Sequence, residues 1–271
     1  MMHAKTVPTG WQTHADADWR RRVAHAFSRA APRYVELASA QQAMGELLWR
    51  RLPPRAGTVL DLGCGPGHWT ARLSQHYQRC AIGLDLAPGM LIEAQRRHGR
   101  QGYWLCGDAT ALPLKNHSIE LMFSNLAIQW CCDHNALFTE LYRVLKPGGR
   151  ALLNTLVPGT LKEVSYAWDR PGQSAAVRQF TDTPTLIHSA RCAGFEADAE
   201  QVAKRFHYPD ITAVMASIKG VGAQTARAGA RLTRSHLAQA TRRYETLRED
   251  AGLPVTYQCL TLELTKTESN A

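Results

Sequence analysis

No apolar run in this sequence approaches the roughly 18 to 20 residues that a membrane-crossing helix needs, and Met1 to Trp19 is polar, without the apolar core of a secretory signal. No membrane contact is expected, and the location expected is cytoplasmic. The seven cysteines, an odd number that includes the adjacent Cys131 and Cys132, form no CxxC pair and no Cys/His ladder with zinc spacing. No metal site is therefore expected, and the thiols read as reduced, mostly buried small hydrophobes. No internal repeat is visible. With 45% apolar and 20% charged residues in a chain of 271, disorder, a collagen-like fibre and a small disulfide scaffold are excluded. Negative charge is the scarcer sign: 23 Asp and Glu stand against 32 Lys and Arg, a net charge of +9. Residues 1 to 60 carry nine basic and four acidic side chains, residues 201 to 248 carry nine and two, and the remainder 14 and 17. The surplus sits in two segments and calls for an anionic partner.

From Thr58 onward, short β-branched and leucine-rich runs alternate with helix-length amphipathic stretches, the pattern of a parallel sheet with crossover helices. Strands are expected at Thr58 to Leu62, Ala81 to Leu86, Tyr103 to Cys106, Ile119 to Ser124 and Arg150 to Leu156, and helices at Trp69 to Tyr77, Pro88 to His98 and Ala136 to Leu145. Lys146-Pro147-Gly148-Gly149 stops the last of these helices. Upstream, Trp19 to Ala31 and Val35 to Leu52 read as helices split by Pro32 and ended by Pro53-Pro54. Downstream come a helix at Thr185 to Ala193, a strand at Glu196 to Tyr208, a helix at Pro209 to Lys219 and a Gly/Ala-rich stretch at Gly220 to Gly229. A basic helix at Ser235 to Asp250, capped by Thr233 or Ser235, precedes a last strand at Val255 to Thr265. The expected architecture is a helical N-terminal segment, 1–55, followed by a Rossmann-like, doubly wound, mostly parallel α/β domain, 56–271. A basic helical insertion at about 209–252 is a candidate lid.

Asp61-Leu62-Gly63-Cys64-Gly65-Pro66-Gly67 stands where the first strand turns into the first helix. Gly63 and Gly65 permit a backbone path and a close ligand approach that a Cβ would block, and Gly67 lets the helix start near the sheet. The spacing departs from G-x-G-x-x-G, because the sixth position from Gly63 is His68, so a dinucleotide is not indicated. Asp61 would repel phosphate at that point and suits a cationic amino-acid ligand. Asp85 ends the second strand 20 residues after Gly65, the place of a ribose-binding carboxylate, and Asp108 ends the third. Acidic turn residues are common singly. Three in register with a glycine turn suit a ligand carrying an α-amino group, a ribose diol and an exocyclic amine, all of them donors.

As a set these residues resemble the class I methyltransferases that use S-adenosylmethionine, and Leu141-Tyr142-Arg143-Val144-Leu145-Lys146-Pro147-Gly148-Gly149 matches the signature that follows their fourth strand. The resemblance spans residues 58 to 156. It implies that Asp61, Gly63, Gly65 and Gly67 hold the methionine part, Asp85 with Leu86 the ribose, and Asp108 with Ala109 the adenine, with Asn125 also at the cofactor. Outside that core, Val23-x-x-Ala26-Phe27-Ser28-Arg29-Ala30-Ala31-x-x-Tyr34, Ser124-Asn125-Leu126-Ala127-Ile128-Gln129-Trp130 and Ser217-Ile218-Lys219-Gly220-Val221-Gly222-Ala223 look like the malonyl-acyl-carrier-protein O-methyltransferases of early biotin synthesis. That resemblance implies methyl transfer to the free carboxylate of a malonyl thioester carried by an acidic acyl carrier protein. Tyr34 and Lys219 are then expected to position the acceptor, and Gln129, Trp130 and Arg143 to contact it.

A carboxylate is ionised at neutral pH and needs no general base to attack a sulfonium methyl, and no Ser/His/Asp or Cys/His set stands out in the chain. A quinone-pathway C-methyltransferase, the first alternative, needs a base beside an enol or phenol carbon. His117, His134 and His188 are available but fall in no defensible pattern. An adenine-methylating enzyme would carry Asn/Asp-Pro-Pro-aromatic after the fourth strand, where Ser124-Asn125-Leu126-Ala127 stands instead, so nucleic acid is not the expected partner. A noncatalytic cofactor- or carrier-binding module is opposed by the intact glycine turn and its acids.

Overall fold

Four consecutive buried residues, Val59–Leu62, form β1, as expected of a strand covered on both faces. In the computed structural model, which describes residues 9–169, 179–220 and 234–267, β1 lies inside a seven-stranded sheet. Its other members are β2 (Ala81–Asp85), β3 (Gly102–Cys106), β4 (Ile119–Asn125), β5 (Leu145–Leu156), β6 (Glu196–Tyr208) and β7 (Leu253–Thr265). The order is β3-β2-β1-β4-β5-β7-β6, with only the β7 pairings antiparallel. The chain winds outward from β1 to β3 and returns to β4, so the strand order reverses between β1 and β4. Ligands of such sheets bind in the crevice beyond the carboxyl ends of the strands at that reversal.

The strand period of two decides which helices each face receives. On β4, Leu121 and Phe123 pack with Leu48 of α2 (Ser39–Trp49) and with Trp69 and Leu73 of α3 (His68–Tyr77). Met122 between them packs on the opposite face with Leu137, Phe138 and Leu141 of α5 (His134–Val144) and Leu186 of α7 (Thr183–Cys192). Asp133 and Asp182 cap α5 and α7, accepting from the Ala136 and Thr185 amides. The fourth helix in chain order, α4 (Pro88–His98), starts with proline at its first turn.

Beyond Leu156, which pairs with Cys259, β5 leaves the sheet, while β6 and β7 continue paired to Tyr208 and Leu253. This two-stranded extension is covered by α6 (Lys162–Trp168), α8 (Ile211–Gly220) and α9 (Arg234–Glu245), around Val164, Val214, Tyr244, Val255 and Tyr257. No helix among the described residues is long and apolar enough to cross a membrane.

Three expectations about elements need correction. Pro32 does not divide the N-terminal helix: α1 runs from Thr9 to Leu37 with Pro32 inside it, and the break falls at Ala38. Proline removes one helical hydrogen bond, but here Ala31 is buried against Ala87 and Met90, and the Gly89 amide donates to Ser28 Oγ, which holds the helix on course. The fifth strand starts at Leu145 rather than Arg150, because Leu145 already pairs with Ile119 and the Lys146–Gly149 stretch forms an irregularity inside the strand. The Gly148 amide donates to the Lys266 carbonyl there, and the Lys266 amide to Gly149. Ser235 lies inside α9 and so is not its cap, while Thr233 and the Gly/Ala-rich stretch from Val221 to Gly229 lie outside the described residues.

Candidate active site

The glycine turn is fixed to the neighbouring strand: the Gly63 and Cys64 amides both donate to the Leu84 carbonyl, at 2.7 and 3.0 Å. All three glycines have positive φ, yet the space around them differs. A Cβ on Gly63 would stand 2.2 Å from the Ala127 Cβ, and one on Gly67 2.5 Å from the Trp104 ring. At Gly65 it would meet nothing within 4 Å. Gly63 and Gly67 thus serve close packing, and Gly65 is the position that keeps a ligand's place clear.

That place is a cavity of about 320 Å³, near the lower bound for small-molecule sites. Gly63, Gly65, Asp85, Leu86, Asp108, Ala109 and Asn125 all line it, and so do Tyr34 and Trp130. Asp85 is held by backbone alone: Oδ1 accepts from the Ala87 amide at 2.8 Å and Oδ2 from Gly65 at 2.9 Å. Burial raises its pKa, and those amides offset only part of the effect. Asp108 is held differently. Its Oδ1 accepts from the amide and hydroxyl of Thr110, and Oδ2 from Arg20 of α1 at 2.7 Å. Burial opposes its ionisation, but Thr110 and the Arg20 guanidinium prevail and keep the carboxyl below its ordinary range. Burial, with Asp85 close by, pushes the Tyr34 phenol well above its ordinary value, so its hydroxyl stays protonated.

Four of the expected contacts lie elsewhere. Asp61 does not line the cavity: it is buried beneath the turn, where its carboxylate accepts from the Thr70 hydroxyl at 2.6 Å and from the Thr70 amide in the first turn of α3. Burial pushes its pKa up to about 7, Asp85 adds to the rise and Thr70 opposes it. Gly67 stands behind the turn against Trp104. Gln129 is folded into its own loop, donating to the Leu126 carbonyl at 2.6 Å and accepting from Thr155 Oγ1 at 3.4 Å. Arg143 is spent on the 112–116 segment, donating to the carbonyls of Leu112 and Leu114, to Asn116 Oδ1 and to Glu140. Lys219 belongs to α8, and its side chain lies outside the described residues. Asn125 lines the cavity while its amide is tied to Gln41 O and Asn154.

Sequence reasoning passed over Arg20. It belongs to the run Arg20-Arg21-Arg22, which looks like any solvated basic turn; only its four-residue spacing from Asp16 and three-residue spacing from Val23 place all three on one helical face. Trp19, whose indole donates to the Trp130 carbonyl at 3.0 Å, was equally silent.

The donor set fits S-adenosylmethionine. Among the described residues no cation pairs with Asp85 or Asp61, so this end of the site accepts a ligand that brings positive charge and N–H and O–H donors. Leu86, Met90, Ala109 and Ile128 supply apolar lining for a flat base.

Residues 60–153 match the family model described as a methyltransferase domain. The chain is 38% identical to a malonyl-acyl-carrier-protein O-methyltransferase of Methylovorus, over 89% of this chain and 87% of that one. It is 36% identical to the biotin biosynthesis bifunctional protein BioHC of Cellvibrio japonicus over 94% of this chain, and spans 52%, about half, of that longer protein. Among solved structures, the YcgJ protein of Bacillus subtilis superposes with a TM-score of 0.61 at 17% identity, over 84% of this chain and 100% of that one, a likeness of fold.

Proposed function

The chain belongs to the malonyl-acyl-carrier-protein O-methyltransferases, class I enzymes dependent on S-adenosylmethionine, and on that premise we propose that it esterifies the free carboxylate of a malonyl thioester on acyl carrier protein, an early step of biotin synthesis. The observation that carries this reading is the character of the cavity wall. Among the described residues no histidine or lysine lines it, the Tyr34 hydroxyl is held protonated, and of its four aspartates Asp85 and Asp108 are tied by the hydrogen bonds described above. Such a wall suits an acceptor that arrives already ionised, as a carboxylic acid with an ordinary pKa of about 4 does at neutral pH. A C-methyltransferase of the quinone pathway would need a base at this point, and that alternative is not favoured.

Bound S-adenosylmethionine supplies an electrophilic methyl group. Asp85 accepts from the ribose hydroxyls, Asp108 from the adenine amine beside Ala109, Leu86 packs on the nucleoside, and Gly63, Gly65 and Asn125 surround the methionine end. Asp61 acts at one remove, fixing Thr70 and the start of α3 under the turn. Tyr34 and Trp130 close around the acceptor and exclude water. Holding the attacking oxygen in line with the methyl group accounts for about 7 to 11 kcal/mol of barrier lowering by effective molarity. Lys219 or a basic neighbour steadies the malonyl group through the oxygen that does not attack.

The N-terminal segment, 1–55, contributes a wall of this site, and the basic insertion at 209–252 receives the carrier protein. α9 carries Arg242 and Arg243 in its last turn, and the Arg243 guanidinium sits 4.8 Å from the ring centre of the exposed Tyr166. An acidic carrier complements this surface, and nucleic acid is not required to explain the charge. The seven free thiols suit a reducing compartment, the cytoplasm.

Incubating the enzyme with methyl-labelled S-adenosylmethionine and carrier protein loaded with malonyl or with acetyl tests the reading. Label is expected in the malonyl form alone, as a base-labile ester. An unlabelled malonyl carrier, or equal labelling of the acetyl form, would overturn it.

A further inference from the structure

The cavity has a roof that the family domain match does not include. Asp16, Arg20, Val23, Phe27 and Tyr34 all line it from α1, upstream of residue 60. Their spacings of four, three, four and seven residues place them on a single helical face, which spans about 27 Å at 1.5 Å per residue. A ligand that fills the cavity lies against this face.

The two halves of the roof are fastened by different physics. Toward the C-terminal half, Ala31 is buried against Ala87 and Met90, the Gly89 amide donates to Ser28 Oγ at 3.1 Å, and a Cβ on Gly89 would come within 2.7 Å of the Ser28 Cα. This is tight apolar packing. The N-terminal half is held by polar and aromatic contacts: Arg20 to Asp108 at 2.7 Å, the Trp19 indole to the Trp130 carbonyl, and the stacking of those two rings with centroids 6.4 Å apart. The Arg20 and Asp108 side chains retain 41% and 21% of their exposure, which keeps the ion pair weak enough to open and close.

We propose that Arg20 is a cofactor-retention residue, latching the N-terminal half of α1 over the bound nucleoside through Asp108 while the Ser28–Ala31 contact acts as the hinge. The inference rests on Asp108 as the acceptor for the adenine amine. An ionised carboxylate offers about four lone-pair sites. Thr110 takes two on Oδ1 and Arg20 one on Oδ2, which leaves one on Oδ2 for the amine. Latch and ligand therefore share one oxygen without displacing each other. The latch opens before the nucleoside leaves.

The test is the release rate of S-adenosylhomocysteine from the full-length protein, followed by stopped-flow tryptophan fluorescence, with Trp19 and Trp130 as reporters in the roof. Arg20→Met is expected to speed release about fivefold, the scale of a half-exposed ion pair. Release from the wild type accelerates with added salt, and release from Arg20→Met does not. Arg20→Lys, which keeps the charge and loses the planar fork, releases at an intermediate rate and stays salt-sensitive. An unchanged release rate and salt response in Arg20→Met would overturn the latch. Asp108→Ala separates the two layers: weakened binding there together with an unaltered Arg20→Met removes the latch and keeps the adenine assignment, whereas unaltered binding removes both.

Discussion

The two ends of the cofactor cavity hold their acids by opposite means. At the β2 end, Asp85 is gripped by the Gly65 and Ala87 amides, within a turn that is itself bonded to Leu84, and burial raises its pKa. At the β3 end, Asp108 depends on Thr110 and on an arginine from a helix about 90 residues earlier, and its pKa is lowered. One end is built into the sheet and its turn. The other is completed by α1 and opens when α1 lifts. The difference teaches how one cavity can recognise a cationic, donor-rich molecule and still release it: the fixed end provides affinity, the latched end controls exchange.

The largest expected effect breaks the fixed end. On the proposed assignment Asp85→Ala removes the acceptor for two ribose hydroxyls, and at about 1.5 kcal/mol for each charge-assisted bond the cofactor Kd should rise about 100-fold by calorimetry. Asp108→Ala should cost less, about tenfold for the single lost donor and about fivefold more for the lost Arg20 latch. Equal losses would erase the contrast between the ends. Within the turn, the same comparison separates packing from ligand space. Gly63→Ala drives a Cβ into Ala127 at a positive φ and should destabilise the fold by about 3 kcal/mol in denaturant titration. Gly65→Ala meets no protein atom, so it should cost only about 1 kcal/mol of stability while still weakening the cofactor.

A subtler effect is the pH dependence. Asp61, raised to about 7, is partly protonated near neutral pH in the ligand-free protein and loses that proton when positive charge arrives; burial shifts Asp85 in the same direction. Cofactor binding should tighten as pH rises through about 7, with protons released on binding, and binding that is flat in pH would count against the two buried acids. The raised Asp61 value makes a contribution to stability that is complete below the unfolded carboxyl value near 4 and is lost as pH rises through about 7. Asp108 has the reverse sign: its contribution is present above that unfolded value and is lost in acid below it.

Much of this could be read from the sequence. The parallel core was legible because short β-branched and leucine-rich runs alternate with helix-length amphipathic stretches, and Pro88 to His98 was delimited to the residue, with proline at its first turn. The carboxylates at the ends of β2 and β3 were legible because the glycine turn fixes their spacing. What escaped depends on tertiary contact. Nothing local tells that Asp61 turns under the loop to Thr70, that the space left by Gly63 belongs to Ala127, or that Pro32 is carried through a helix by Met90 and Ala87. From its motif Arg143 reads as helix-end electrostatics as readily as a substrate contact, because a motif shows that a residue matters and not what it touches. Its partners, the carbonyls of Leu112 and Leu114, lie about 30 residues away. Lys266 is similar: buried near the end of the chain, it donates to the carbonyls of Tyr142 and Leu145 where α5 passes into β5, a tie that no window of sequence reveals.

On this mechanism the cavity aligns an acceptor that is already ionised, with no proton to remove. It is tested most directly by single-turnover methyl transfer on enzyme saturated with S-adenosylmethionine and malonyl carrier protein, followed across about pH 6 to pH 9, well above a carboxylate pKa near 4. A rate constant that is flat over that range is expected. A rate that climbs about tenfold per pH unit toward a plateau would reveal an essential base and contradict it.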